Sequence, residues 1–178
     1  MSEVGARAFL GLGANLGDRA AAIGAALAAL ASRGAVRIAR ASSLYETEPL
    51  RPAGEIREAP WFLNRVAEVE TALSPRDLLA ALQETERSLG RAPGRARWAP
   101  REIDIDLLLH GDRIVRDPDL VVPHPGLTLR RFVLAPLAEL APDLIVPGTG
   151  RTVAAHLAAL NDPLRVIVFR PEVREEPE

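Results

Sequence analysis

The chain has 178 residues, with 22 basic against 24 acidic side chains, a formal net charge of −2 and no cysteine. That length fills one well-buried domain and falls short of two, and the near-neutral charge argues against nucleic acid as the main partner. The lack of Cys excludes disulfides, thiolate nucleophiles, iron–sulfur clusters and Cys-based zinc sites, while the lack of Lys excludes a GxxxxGK[ST] phosphate loop, Schiff-base chemistry and a lysine general base. The N-terminus shows no basic segment ahead of an apolar core, and no stretch approaches the roughly 20 apolar residues that span a bilayer, so an unprocessed cytoplasmic chain is expected.

Residues 6–12 read as a first strand. Gly11, Gly13 and Gly17 then bracket a turn to Asp18, the cap of an alanine-rich helix over residues 19–32 whose buried stripe is Ile23, Leu27 and Leu30. Residues 35–45 and 62–72 alternate as two strands, joined by a long loop over 46–60. Ser74 and Pro75 open a second helix, with Leu78, Leu79, Leu82 and Leu89 on its core side and Gly90 as its stop. A further strand follows. The order βαββαβ predicts an α+β fold of the ferredoxin-like kind, an antiparallel sheet with both helices on one face. C-terminal additions are expected as a hairpin-like piece around Gly111 and Asp112, helices near 128–140 and 152–160, and a strand over 165–169. Residues 1–170 read as one domain and 171–178 as a flexible tail.

The densest chemistry is in the run RWAPREIDIDLLL. Strand side chains alternate, so Asp104 and Asp106 project together, with Cα atoms about 6.5–7 Å apart, while Ile103, Ile105 and Leu107 point the other way. An Asp-x-Asp in a strand is ordinarily the wet face of a sheet. Here it follows Arg87, Arg91, Arg95, Arg97 and Arg101 in a segment punctuated by Pro93, Gly94 and Pro100. Arginines beside metal-binding acids suit a cation that carries phosphates, whose oxygens match the guanidinium fork. Residues 46–60 and 91–97 are irregular enough to read as binding loops.

With GLGANLGD at the start, SSLYETEPL, FLN, LLAALQETERSLGR and VPHPGLTLRRF in order, the run RWAPREIDIDLLL resembles the 6-hydroxymethyl-7,8-dihydropterin pyrophosphokinase family of the folate pathway. The resemblance implies transfer of pyrophosphate from ATP to the hydroxymethyl oxygen of the pterin, with AMP released. It implies that Asp104 and Asp106 hold Mg²⁺, two ions, on the ATP phosphates, and that Arg91 and Arg101 act with them in catalysis. Gln83, Glu86, Trp98, Arg101, His124 and Arg130 match nucleotide-side positions. Thr47, Glu48 and Leu50 match the backbone at the pterin edge, Asn64 the side chain that reads its amide and amino groups, and Phe62 with Phe132 the aromatic pair that sandwiches it. The chain departs from the family in carrying Pro93 where a second basic residue is common, which Arg95 or Arg97 would replace. Phe62 stands in place of a tyrosine and Glu48 in place of an apolar residue or proline.

The implied partners are the small molecules ATP and 6-hydroxymethyl-7,8-dihydropterin, with neither nucleic acid nor membrane, and the chain is read as a monomer. Two rival readings differ in class. A dinucleotide-binding fold is disfavoured because the glycine turn has one residue too many for GxGxxG and residues 20–45 contain no acid to hold a ribose. A ferredoxin-like RNA-binding module, or another Mg-nucleotide binder, remains as the alternative; an RNA reader needs exposed aromatics and a basic surface where this chain has acids.

Overall fold

The computed structural model describes residues 5–49, 60–90 and 103–170. Their elements are β1 (Ala6–Ala14), α1 (Arg19–Ser32), β2 (Val36–Ala41), β3 (Tyr45–Thr47), β4 (Phe62–Thr71), α2 (Pro75–Ser88), β5 (Asp104–His110), β6 (Val115–Asp117), β7 (Leu120–Val122), α3 (Arg131–Leu140), α4 (Val153–Ala159) and β8 (Val166–Val168). The main sheet runs β5-β1-β4-β3-β8, with β2 also paired to β4. Every pairing is antiparallel. β2 and β3 share one edge of β4 and are two pieces of the second strand of a ferredoxin-like sheet. At the break, Ser42 stays attached to β4: its N–H donates to the Val66 carbonyl (2.9 Å) and its Oγ accepts the Val66 N–H (3.1 Å).

Both helix starts are capped as the sequence predicts. The Asp18 carboxylate accepts the Ala21 N–H (3.0 Å), and Ser74 Oγ accepts the Asp77 N–H (3.2 Å). α1 and α2 cover one face of the sheet, where Ile23, Leu30, Leu78 and Leu82 meet Leu10, Leu12, Ile105 and Leu107. Each such fully buried aliphatic side chain contributes about 1.5–3 kcal/mol. On the opposite face α3 packs Val133, Leu134 and Leu137 against Phe9, Val66, Leu108 and Leu109. Glu139 moors α3 to the sheet edge by accepting the Tyr45 hydroxyl (2.7 Å) and the Ser43 N–H (2.9 Å). Burial and the neighbouring Glu139 push the Tyr45 phenol up to about 12. Burial also works against ionised Glu139, but the hydrogen bonds from Tyr45 and Ser43 and the charge of Arg65 hold its carboxyl below the usual range.

The structure shifts three boundaries. β1 continues to Ala14, so Gly11 and Gly13 lie inside the strand and not in a turn. The hairpin is β6–β7, closing beyond Asp117, and Arg76 at the start of α2 pairs with both Asp117 and Asp119 (2.8 Å each); Gly111 and Asp112 form only the turn that leaves β5. The helix expected over 128–140 divides into a 3-10 turn, Leu127–Leu129, and α3, with Arg130 extended between them. The tail, 171–178, lies outside the described residues. Among the described residues no helix is long and apolar enough to cross a membrane.

Candidate active site

Strand register assembles the site. Asp104 on β5 pairs with Gly13 on β1, Gly13 with Asn64 on β4, and Asn64 with Tyr45 on β3. Directly opposed residues of an antiparallel pair share a face, so Asp104, Asn64 and Tyr45 project on the side away from α1 and α2. Asp106 joins them through its pairing with Gly11. Two strand spacings separate Asp104 from Asn64, about 10 Å, and the strand between contributes only glycine backbone at that level. A shallow strip floored by glycine backbone thus lies between the two carboxylates and the amide, with the Leu108 side chain close over Gly11 and the Asn64 amide over Gly13.

Glycine at position 13 leaves room for the Asn64 amide. A Cβ on Gly13 would sit 2.8 Å from Asn64 Oδ1, closer than such atoms approach. Asn64 is buried and donates from Nδ2 to Thr47 Oγ1 at 2.7 Å, and Thr47 is 1% exposed. Phe62 pairs with Thr47 and lies on the same face of β4, half-buried. Phe132, in the first turn of α3, packs on the cluster beneath that helix, and the Arg130 guanidinium lies 5.7 Å from its ring centroid. Arg130 also lies flat on Gly126, whose Cβ position would meet Arg130 Nε at 2.8 Å. Among the expected pterin-side residues, Leu50 lies outside the described residues, and Glu48 is bound to Arg165.

His124 reaches the aspartates from the loop after β7. Its backbone N–H donates to the Leu108 carbonyl of β5 (2.9 Å), which sets the ring beside Asp106, Nε2 to Oδ1 4.0 Å. Its Nδ1 accepts the Gly126 N–H (3.0 Å), so a neutral ring carries its proton on Nε2, the nitrogen nearer Asp106. Burial lowers the His124 pKa and the Arg130 charge lowers it further, against the pull of Asp106 and Asp104.

Of the two α2 residues, Gln83 is exposed and Glu86 is buried. Glu86 Oε1 accepts the backbone N–H of Ile105 at 2.7 Å, from the helix side of the sheet and between the two aspartates in sequence. It therefore reaches the site through the strand that presents Asp104 and Asp106. Glu86→Ala is expected to leave that buried N–H without an acceptor and to cost about 1–3 kcal/mol of stability, whereas Glu86→Gln keeps a carbonyl oxygen at the same place. Urea melts of both variants check this; equal destabilisation would show that the charge, not the hydrogen bond, matters. Arg91, Trp98 and Arg101, with Pro93, Arg95 and Arg97, lie outside the described residues.

No group of three or more His, Cys, Asp or Glu that could enclose a metal occurs among the described residues. The donor set on hand is a carboxylate pair on one face, with no side chain opposite it on β1. Such a pair fits Mg²⁺, which binds through one or two carboxylates and takes its other oxygens from phosphates and water.

The positions missed from sequence are the ones that shape the sheet around these groups. Gly11 and Gly13 are legible as a period-two signal, since glycines two apart in a strand clear one face; Tyr45, Arg19 and Arg165 carry no local signal.

Residues 9–142 match the family described as 7,8-dihydro-6-hydroxymethylpterin-pyrophosphokinase. The chain is 43% identical over 155 residues to the 2-amino-4-hydroxy-6-hydroxymethyldihydropteridine pyrophosphokinase of Methylorubrum extorquens, covering 87% of this chain and 94% of that one. It is 44% identical over 153 residues to the protein of the same name from Pseudomonas aeruginosa, covering 86% and 91%. Its fold is similar to the crystal structure of Plasmodium falciparum wild-type HPPK-DHPS with STZ-DHP, at a TM-score of 0.68 and 16% identity, over 89% of this chain and 44% of that one. The chain thus spans less than half of that solved structure and more than nine-tenths of these two bacterial relatives. With the family's pattern matched through most of its length, the chain belongs to the 7,8-dihydro-6-hydroxymethylpterin-pyrophosphokinase family.

Proposed function

We propose that this chain performs its family's reaction on the sheet face described above, moving pyrophosphate from ATP to the hydroxymethyl oxygen of 6-hydroxymethyl-7,8-dihydropterin in folate biosynthesis. The observation that supports the reading is the row Asp104–Gly13–Asn64, a carboxylate and an amide on one face about 10 Å apart, suited to a polyphosphate and to a ring edge respectively. In the reaction the hydroxymethyl oxygen bonds to the β-phosphorus of ATP, the bond from that phosphorus to the α,β-bridging oxygen breaks, and AMP departs with the bridging oxygen. The hydroxyl proton passes to solvent or to a nearby base.

The protein's task in such a transfer is alignment and charge compensation. Asn64, its amide steadied by Thr47, reads the pterin edge, with the backbone of Thr47, Glu48 and Leu50 completing it. Phe62 and Phe132 supply aromatic faces, each pairing worth about 0.5–1.5 kcal/mol beyond burial. Asp104 and Asp106 would hold Mg²⁺, two ions, which when bound neutralise phosphate oxygens and lower the pKa of a coordinated hydroxyl. His124, with Nε2–H directed toward the aspartate side, and Arg130 face the phosphates. Arg91 and Arg101 stabilise the transferring group, Gln83 and Trp98 complete the nucleotide side, and Glu86 serves it from behind by holding the Ile105 N–H of the strand that carries the aspartates. We further read residues 1–170 as one domain, working as a cytoplasmic monomer.

The test is an assay for AMP with ATP, the hydroxymethylpterin and Mg²⁺. AMP is expected only when all three are present, in a one-to-one ratio with pterin diphosphate. ADP as the nucleotide product, or AMP release that ignores the pterin, would overturn the reading.

A further inference from the structure

Two arginines hold the strand ends that flank Asn64. Arg19, the first residue of α1, donates from Nη2 to Glu46 Oε1 (2.7 Å) on β3 and from Nη1 to the backbone carbonyl of Trp61 (2.8 Å), just before β4. One guanidinium thus spans the two strands, and the side chains of Arg19 and Glu46 are only 24% and 27% exposed. Arg165, just before β8, is tied to Glu48 three ways. The Glu48 carboxylate accepts its N–H and its Nε–H (3.0 Å each), and the Glu48 N–H donates to its carbonyl (3.1 Å). The Arg165 guanidinium also lies 4.9 Å from the Trp61 ring centroid. Glu48, the residue that departs from the family pattern, therefore has a partner in the C-terminal strand region, beyond the family match that ends at residue 142.

We propose that Arg19 and Arg165 are positioning residues for the pterin, which clamp β3 to the start of β4 and so hold Thr47 against Asn64. β3 is only three residues long, and a strand that short gains little from its own ladder. Its register with Phe62 and Asn64 decides whether Thr47 Oγ1 meets the Asn64 amide, and the two arginines fasten that register from both sides. Arg19 carries more of the clamp than Arg165, because its ion pair is sheltered and bridges both strands, whereas Arg165 is 70% exposed and its pair is screened by solvent. The proposal rests on the reading of Asn64 as the pterin contact.

Steady-state kinetics on the intact chain, with Asn64→Ala run alongside, test it. Arg19→Ala is expected to raise KM for the pterin roughly fivefold to tenfold, the scale of one lost charge-assisted pair, with KM for ATP within about twofold. Arg165→Ala is expected to raise it about twofold to threefold, as suits an exposed pair. Arg19→Lys, which can restore one of the two bonds, should recover part of the loss, and Glu46→Ala should add little on top of Arg19→Ala. If Arg19→Ala and Arg19→Lys lower thermal stability alone, or shift both KM values together, the clamp is wrong. If Asn64→Ala leaves KM for the pterin unchanged, the underlying pterin assignment fails instead, whatever the arginines do.

Discussion

Alanine at Asp104 or at Asp106 is expected to reduce AMP formation by at least roughly 10²–10³-fold, the loss that follows removal of a single preorganised electrostatic group from an active site. Both side chains project on the face away from the α1/α2 core, and neither is fully buried, so truncation opens no cavity. The apolar residues that alternate with them, Ile103, Ile105 and Leu107, keep β5 in place from the other side. Thermal melts of the variants should therefore stay near the wild-type value. Chemically, neither aspartate is expected to substitute for the other, because the strand sets them one above the next and the proposed polyphosphate anchor uses both. Asp104→Asn and Asp106→Asn, which keep shape and lose charge, should fall nearly as far. Full turnover in any of these variants would remove the phosphate anchor from this face of the sheet.

Gly13→Ala is expected to weaken the pterin by about tenfold or more, a loss of at least about 1.4 kcal/mol, while sparing ATP. Gly13 sits in β1 without a positive φ, so its backbone accepts alanine. The conflict is with one atom, Asn64 Oδ1, 2.8 Å from the new methyl group. To relieve it the amide must turn, and turning breaks its bond to Thr47. The prediction is specific to that pair: on an Asn64→Ala background the same substitution should cost little more, as a double-mutant cycle of the two sites reports. Equal losses with and without Asn64 would mean that the methyl group obstructs the strip itself and does not act through the amide.

Much of this molecule is legible in its sequence because the relevant signals are local. Asp18 and Ser74 declare their helices through hydrogen bonds to backbone groups three residues on, and both caps form as expected. The alternation in EIDIDLLL sorts carboxylates from isoleucines without knowledge of the strand's neighbours. Asn64 and Thr47 are each singled out by motif, but their mutual hydrogen bond, 17 residues apart in sequence, depends on the register of β3 with β4. Likewise the glycines after the first strand resemble a turn to a local reading. Only the lengths of the neighbouring strands reveal that pairing with Asp104 and Asn64 extends β1 through them.

Glu86 shows the same division. Its spacing from Gln83 puts the two on one side of a helix, yet the packing of α2 buries one and exposes the other, and turns Glu86 toward a backbone N–H of β5. The mooring of α3 by Glu139 and the ties from Arg19 and Arg165 join residues dozens of positions apart, and no periodicity announces them. What the sequence alone determined was the two helices and the main strands of the ferredoxin-like core, which of their faces are apolar, and the family to which they belong, since caps, alternation and motif spacing act over a few residues. The tertiary structure decided which polar groups meet, because strand register and helix docking are set by the burial of the whole core, and hydrogen-bond partners are chosen only after that burial has fixed the backbone.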